Sequence, residues 1–161
     1  MPTIRPAQST DADALWRVLE PMFRAGETYP LPRDMTKHEA LTYWLGPDHE
    51  VFVAEDDGEI VATYFLKANQ KAGGAHVANC GYVTAPAAQG RGLARAMCLH
   101  SLERAKARGF RAMQFNFVVA TNEKAIHLWQ SCGFQIVGRL PGVFLHPNLG
   151  YVDALVMFHP L

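Results

Sequence analysis

Between Val83 and Ala94 a β-type run ends, a turn through Gln89-Gly90-Arg91-Gly92 follows, and a helix begins immediately. This stretch constrains the fold more than any other, because a strand feeding a helix through a tight glycine turn belongs to sheets covered by helices. The first amides of such a helix lack intrahelical partners, and the helix dipole adds partial positive charge there, so the turn suits a phosphate. Gly90 and Gly92 let the backbone approach an anion with no Cβ in the way. On the glycines alone, an ordinary strand-to-helix turn is an equally good reading. The segment is not a P-loop, since no Gly-Lys-Ser/Thr follows. Nor is it the Gly-x-Gly-x-x-Gly of dinucleotide sites, because the third glycine position holds Arg95.

The flanking sequence supplies the sheet and its helices. Thr3-Ile4-Arg5 reads as a short strand stopped by Pro6, and Thr10 as an N-cap with Asp11 and Asp13 in the first helical turn. Leu15, Val18, Leu19 and Met22 fall at i, i+3, i+4, i+7, which predicts an amphipathic helix that Pro21 kinks or stops. Two prolines punctuate the stretch from Gly26 to Arg33, and a second helix is expected over 36–45. Two apolar runs, Val51 to Glu55 and Glu59 to Leu66, flank Asp56-Asp57-Gly58 and predict a hairpin. Next come a strand at 76–83, a helix to about Arg108, a strand at 112–119, and a short helix carrying Ala125, Leu128, Trp129 and Cys132. The last two strands are expected at 134–137 and 152–158, joined by a loop holding Pro141, Gly142, Pro147, Asn148 and Gly150. The order β-α-α-β-β-β-α-β-α-β-β predicts an α/β (mixed α+β) fold with one mixed sheet and flanking helices.

A length of 161 residues predicts one domain over 1–161, or at most one domain with a small appendage. Hydrophobic residues at 49% and a net charge of zero exclude a disordered chain. Fifteen basic against fifteen acidic residues leave no electrostatic footprint for nucleic acid or an anionic membrane. No window approaches about 18 consecutive apolar residues, and Met1-Pro2-Thr3-Ile4-Arg5 shows no signal-peptide pattern. A cytoplasmic location is therefore expected. Cys80, Cys98 and Cys132 have no Cys-x-x-Cys spacing and read as small core hydrophobes. No His-x-x-x-His pair falls on one helix face, so no metal site is expected.

A second informative segment runs from Thr121 to Phe134. Taken together, Gln89-x-x-Gly92-x-Ala94 and Asn122-x-x-Ala125-x-x-Leu128-Trp129-x-x-x-Gly133-Phe134 resemble the two signature motifs of the GCN5-related N-acetyltransferase (GNAT) family. The element order follows that family over essentially the whole chain. The resemblance implies a seven-stranded, mostly antiparallel mixed sheet with about four helices. It also implies acetyl-CoA as co-substrate, with no metal, in a cleft where the strands at 76–83 and 112–119 splay apart. The pyrophosphate would lie on the amides of Gln89, Gly90, Arg91, Gly92, Leu93 and Ala94, and the pantetheine beside the strand ending at Val83. Asn122 would hydrogen-bond the pantetheine and Trp129 would pack beside it, although Asn122 also fits as a helix N-cap and Arg91 as a solvated loop residue.

Acyl transfer to an amine needs a neutral amine, a site for the oxyanion and a fate for the thiolate. A backbone N–H around Tyr82 or Val83 would serve the oxyanion. The family's usual tyrosine acid is matched here by Trp129, whose indole does not donate a proton to a thiolate; Tyr82 and Tyr151 are candidate substitutes. Where many relatives carry a glutamate base, this chain has Val77-Ala78-Asn79-Cys80-Gly81, and asparagine is no base. Asn79 and Asn116 read either as neutral groups orienting a small substrate or as a pair satisfying each other in the strand gap. Asn79, Asn116 and Asn122, with Gly26-Glu27-Thr28-Tyr29-Pro30 upstream, resemble the azetidine-2-carboxylate type acetyltransferases, which acetylate small cyclic secondary amines. That resemblance places Glu27 and Tyr29 on the acceptor side, makes a small-molecule amine the expected partner, and suggests a homodimer by analogy. Two rivals remain: a non-catalytic acetyl-CoA sensor of the same fold, and an α/β enzyme for another phosphate ligand such as a nucleotide.

Overall fold

In the computed structural model, which describes residues 2–161, seven strands form one sheet. They are β1 (Thr3–Pro6), β2 (Glu50–Asp56), β3 (Glu59–Ala68), β4 (Val77–Thr84), β5 (Ala112–Val119), β6 (Gln135–His146) and β7 (Gly150–Pro160), in the spatial order β1-β2-β3-β4-β5-β7-β6. Every neighbouring pair is antiparallel except β4 with β5. On one face α1 (Ala12–Ala25) and α2 (Lys37–Trp44) bury Val18, Leu19, Phe23, Ala40 and Trp44 against Phe65 and Val83. On the other, α3 (Leu93–Ala107) and α4 (Glu123–Ser131) pack Met97, Leu102 and Trp129 against Tyr64, Ala78 and Phe115. Side chains alternate along β4, so Ala78, Cys80 and Tyr82 belong to the α3 side and Val83 to the α1 side. The expected mixed sheet between helices is present, and the Asp57-Gly58 turn joins β2 to β3 with positive φ at both residues.

Three local expectations change. A 3-10 turn at Ser9–Asp11 precedes α1, and Asp11, not Thr10, anchors the helix start. The Asp11 carboxylate accepts from the Gln8 N–H at 2.7 Å and from Arg5 at 2.8 and 3.1 Å, while Arg5 also donates to Glu55 at 2.8 Å. One guanidinium thus ties β1, β2 and α1 together. Pro21 does not stop α1, which runs to Ala25: its missing N–H falls on the exposed side, and Phe23 completes the buried stripe of Leu15, Val18 and Leu19. The expected loop over 138–150 is instead a long hairpin, interrupted by register shifts between Ile136 and Gly138 and between Leu140 and Phe144. Such bulges accommodate Gly138 and the Pro141-Gly142 pair inside a strand.

The Arg5 hydrogen bonds hold the Asp11 carboxyl below the usual carboxylate range. The folded pKa lies below the unfolded one, so the stabilisation is complete at neutral pH and is lost as pH falls through the folded value. Asp11→Asn is expected to cost about 1–3 kcal/mol at neutral pH and to flatten the acid limb of the stability–pH curve. Chemical denaturation at stepped pH checks this; identical acid limbs in both proteins would contradict it.

Candidate functional site

Among the described residues the only parallel pairing in the sheet is brief. β4 and β5 are matched at Val77↔Ala112 and Ala78↔Met113 and then separate. β5 keeps its pairing to β7, with a register shift between Phe115 and Val118, and the bulge around Asn116-Phe117 bends it away from β4. The opened edge of β4 leaves backbone groups without strand partners, and side chains take their place. The Cys80 N–H donates to Asn79 Oδ1 at 2.8 Å, and the Tyr82 carbonyl accepts from the Tyr29 hydroxyl at 2.9 Å. In a strand, the N–H and C=O of one residue point to the same edge. The Tyr82 N–H therefore also faces the gap, where it has no partner among the described residues.

Asn79 and Asn116 do not satisfy each other. Asn116 exchanges amide hydrogen bonds with Asn69, at 3.1 and 2.6 Å, and accepts from Gln114 at 2.9 Å. Asn69 stands one residue beyond β3, where no motif marks it. The Tyr82 side chain lies on the opposite face from these amides. Its hydroxyl shares a 2.6 Å hydrogen bond with Ser101 Oγ, and burial holds its pKa well above the ordinary phenol value. That direction is wrong for a proton donor to a thiolate, which removes the catalytic role expected of this side chain. Burial likewise raises the Cys80 thiol to about 12. Trp129 is buried, with its ring 4.9 Å from Tyr82 and 5.1 Å from Phe115, and Tyr151 is 76% exposed at the far end of the sheet.

Beyond the gap, the glycine turn has the conformation its sequence suggested. Gly90 and Gly92 both have φ of +78°, and a Cβ at either would meet nothing within 4 Å. The glycines are there for backbone conformation and open space, not for packing within the chain. Gly92 is the N-cap of α3 without a side-chain cap, and the first helical bond runs from the Ala96 N–H to the Gly92 carbonyl. The amides of Leu93, Ala94 and Arg95 thus stay free at a dipole's positive end. Gln89 is exposed, and Arg91 pairs with Asp56 at 3.2 Å on the β2–β3 hairpin. Arg95 donates to Ser131 Oγ at 2.7 Å, tying the start of α3 to the end of α4. Asn122 stands at the N-cap of α4, but its side chain does not cap, so its amide is uncommitted.

On the α1–α2 side a cleft of about 500 Å³ lies between the loop after α1 and the β6–β7 hairpin. Tyr29, Leu31 and Arg33 line one wall, and Phe144, Leu145 and His146 the other. Tyr29 joins this cleft to the strand gap through its bond to Tyr82. Glu27, expected beside Tyr29, is exposed and does not line it. A second cleft of about 570 Å³ runs along the outside of α2, lined by Lys37, His38, Leu41 and Leu45, and contains none of the gap residues. Among the described residues no cluster of His, Cys, Asp and Glu is placed to hold a metal, and no helix is long and apolar enough to cross a membrane.

Comparison with known proteins places this geometry in a group. The model of the acetyltransferase (GNAT) family matches residues 12–134. N-acetyltransferase aca1 of Schizosaccharomyces pombe is 28% identical over 153 residues, covering 81% of this chain and 71% of that protein. The structure of a GCN5-related N-acetyltransferase from Kribbella flavida superposes with a TM-score of 0.94 at 40% identity, over 99% of this chain and 98% of the other. A GNAT superfamily phosphinothricin acetyltransferase from Sinorhizobium meliloti, in complex with AcCoA, gives a TM-score of 0.87 at 19% identity, over 99% and 88% of the two chains. At that identity the likeness is one of fold.

Proposed function

This chain belongs to the acetyltransferase (GNAT) family, and we propose that it carries acetyl from acetyl-CoA directly to a small amine, a cyclic secondary amino acid in particular. The observation that carries the reading is the opened edge of β4, with an unpartnered Tyr82 N–H facing the gap and free amides waiting at the turn beyond. The amides from Gln89 to Ala94 receive the pyrophosphate, with Gly90, Arg91, Gly92 and Leu93 between them. Tyr82 and Thr84, on the open edge of β4, pair with the pantetheine arm, whereas Val83, expected in that role, turns its backbone to Thr63 of β3. Asn122 hydrogen-bonds the arm, and Trp129 packs beside it.

When the amine nitrogen attacks the thioester carbon, the carbonyl oxygen becomes the oxyanion that the Tyr82 N–H stabilises. The carbon–sulfur bond then breaks. A thiol pKa of roughly 8.5 lets the sulfur leave as a thiolate without a dedicated acid, and the ammonium proton passes to water. Asn79 and Tyr29 keep the exposed strand edge satisfied, and Asn116 with Asn69 presents neutral amides to the acceptor. The family match favours turnover over a silent acetyl-CoA sensor, and the phosphate site needs no nucleotide to explain it. A homodimer remains part of the proposal: edge strand β6 exposes Ile136, Val137 and Leu140, outside the cleft, as apolar surface for a second copy.

Thiol release from acetyl-CoA with cyclic imino acids, other amino acids, polyamines and peptide N-termini tests the reading. Fastest release with azetidine-2-carboxylate or proline is expected. Release confined to polyamines or peptides would overturn the acceptor class, and acetyl-CoA binding with no release on any acceptor would restore the sensor. Trp129→Phe is expected to keep kcat within about tenfold of the parent while losing about 1–2 kcal/mol of stability through a smaller buried ring. A fall of several orders of magnitude in kcat at unchanged acetyl-CoA affinity would give Trp129 a chemical role.

A further inference from the structure

Arg33 is held in place by contacts that leave its charge free. Its Nε donates to the Arg24 carbonyl at 2.8 Å, and Arg24 Nη1 donates back to the Arg33 carbonyl. The aliphatic stem crosses Gly26, where a Cβ would stand 2.5 Å from Arg33 Cδ, so the glycine leaves room for the arginine. One hydrogen bond from Nε and the close contact with Gly26 thus fix an exposed side chain that surface solvation alone would leave mobile, and the bond from Arg24 holds the Arg33 backbone beneath it. Arg24 is separately occupied, with Glu20 and the Trp16 ring. Arg33 has no acidic partner among the described residues, and its Nη1 and Nη2 carry no hydrogen bond to the chain.

Across the cleft, His146 is 9% exposed, and its Nδ1 accepts the Asn148 N–H at 3.1 Å. That bond places the proton of the neutral ring on Nε2, which has no partner among the described residues. Both walls therefore offer donors, and the surfaces between them are Tyr29, Leu31 and Phe144. A free guanidinium fork matches a carboxylate with two parallel N–H···O bonds.

Resting on the acetyltransferase reading, we infer that Arg33 reads a carboxylate on the acceptor, with His146 donating from the opposite wall, so that the enzyme selects amines that are also acids. The acceptor's carboxylate then sits toward Arg33, and its amine is directed past Tyr29 toward the β4–β5 gap.

The test uses azetidine-2-carboxylate and its carboxamide as paired acceptors. The wild-type protein is expected to prefer the acid. Arg33→Gln should lower kcat/KM for the acid by about 10- to 100-fold, mainly through KM, as expected for a lost charge-assisted hydrogen bond. The carboxamide and the KM for acetyl-CoA should move less than about threefold, and Arg33→Lys should recover part of the loss. Equal losses on both acceptors, or no loss on either, would overturn the assignment while leaving the acetyltransferase reading intact. Calorimetric titration of azetidine-2-carboxylate into the CoA-loaded protein provides a readout independent of turnover. Binding that Arg33→Gln abolishes supports the assignment even if transfer to this amine fails; absent binding, or binding indifferent to Arg33, overturns it.

Discussion

Gly92→Asp should lose acetyl-CoA binding and keep its fold. The substituted residue would sit at φ +78°, which costs a non-glycine residue about 1–2 kcal/mol, within the stability of an ordinary domain. No chain atom lies within 4 Å of the new Cβ, so nothing in the protein must move. The new side chain projects into the space where an anion would approach the free amides of Leu93 and Ala94. A carboxylate there both occupies the amides and repels the pyrophosphate, and we expect affinity to fall by at least about 100-fold. Gly92→Ala separates the causes: it carries the same backbone strain with no charge and should lose less. Unchanged calorimetric affinity in Gly92→Asp would remove the phosphate from this turn.

Asn79→Ala and Asn116→Ala should harm acceptor use far more than cofactor binding. Asn79→Ala strips the Cys80 N–H of its partner on the open strand edge, and Asn116→Ala leaves the Asn69 amide unpaired. Where these amides bond the acceptor in the closed transition-state complex, losing one and leaving its partner unsatisfied costs about 1–3 kcal/mol, which corresponds to a loss of about 5- to 200-fold in kcat/KM for the amine. Because Asn116 acts together with Asn69, Asn69→Ala should reproduce the Asn116→Ala defect, and the double variant should add little to it. Asn122→Ala should show the opposite balance, weakening acetyl-CoA first, since its side chain has no capping duty to explain its place. Steady-state kinetics for the amine, paired with calorimetry for acetyl-CoA, checks all five. If Asn79→Ala and Asn116→Ala only lower the melting temperature, both amides merely seal the strand gap and the acceptor lies elsewhere.

The parts of this site legible in the sequence are those set by neighbouring residues. The glycine turn, the Asp57-Gly58 hairpin and the start of α4 are local, since backbone dihedrals and helix ends depend on a few adjacent residues. Asn69, Arg33 and Phe144 escaped notice because their importance comes from partners far along the chain, and no spacing rule connects Asn69 to Asn116 or Arg33 to His146. Tyr82 illustrates the boundary between the two. Strand alternation tells which face it takes, but its bond to Ser101 depends on how α3 lies across the sheet. The β6–β7 hairpin was hidden for another reason: Pro141 and Gly142 usually mark loops, and only the pairing with β7 shows that bulges carry them inside a strand. Half of the cleft beside Tyr29 stands on that hairpin.

A crystal structure of the protein with acetyl-CoA and a slow or product-like acceptor, such as N-acetyl-azetidine-2-carboxylate with CoA, is the most direct measurement. The expected result is pyrophosphate oxygens on the amides between Gly90 and Ala94, the pantetheine along the open edge of β4, and the reacting carbonyl oxygen within hydrogen-bond distance of the Tyr82 N–H. The acceptor should lie on the Tyr29 side of the gap. A pyrophosphate seated away from the turn, or a carbonyl oxygen facing any group other than the Tyr82 N–H, would contradict the assignment of the β4–β5 gap as the place of transfer.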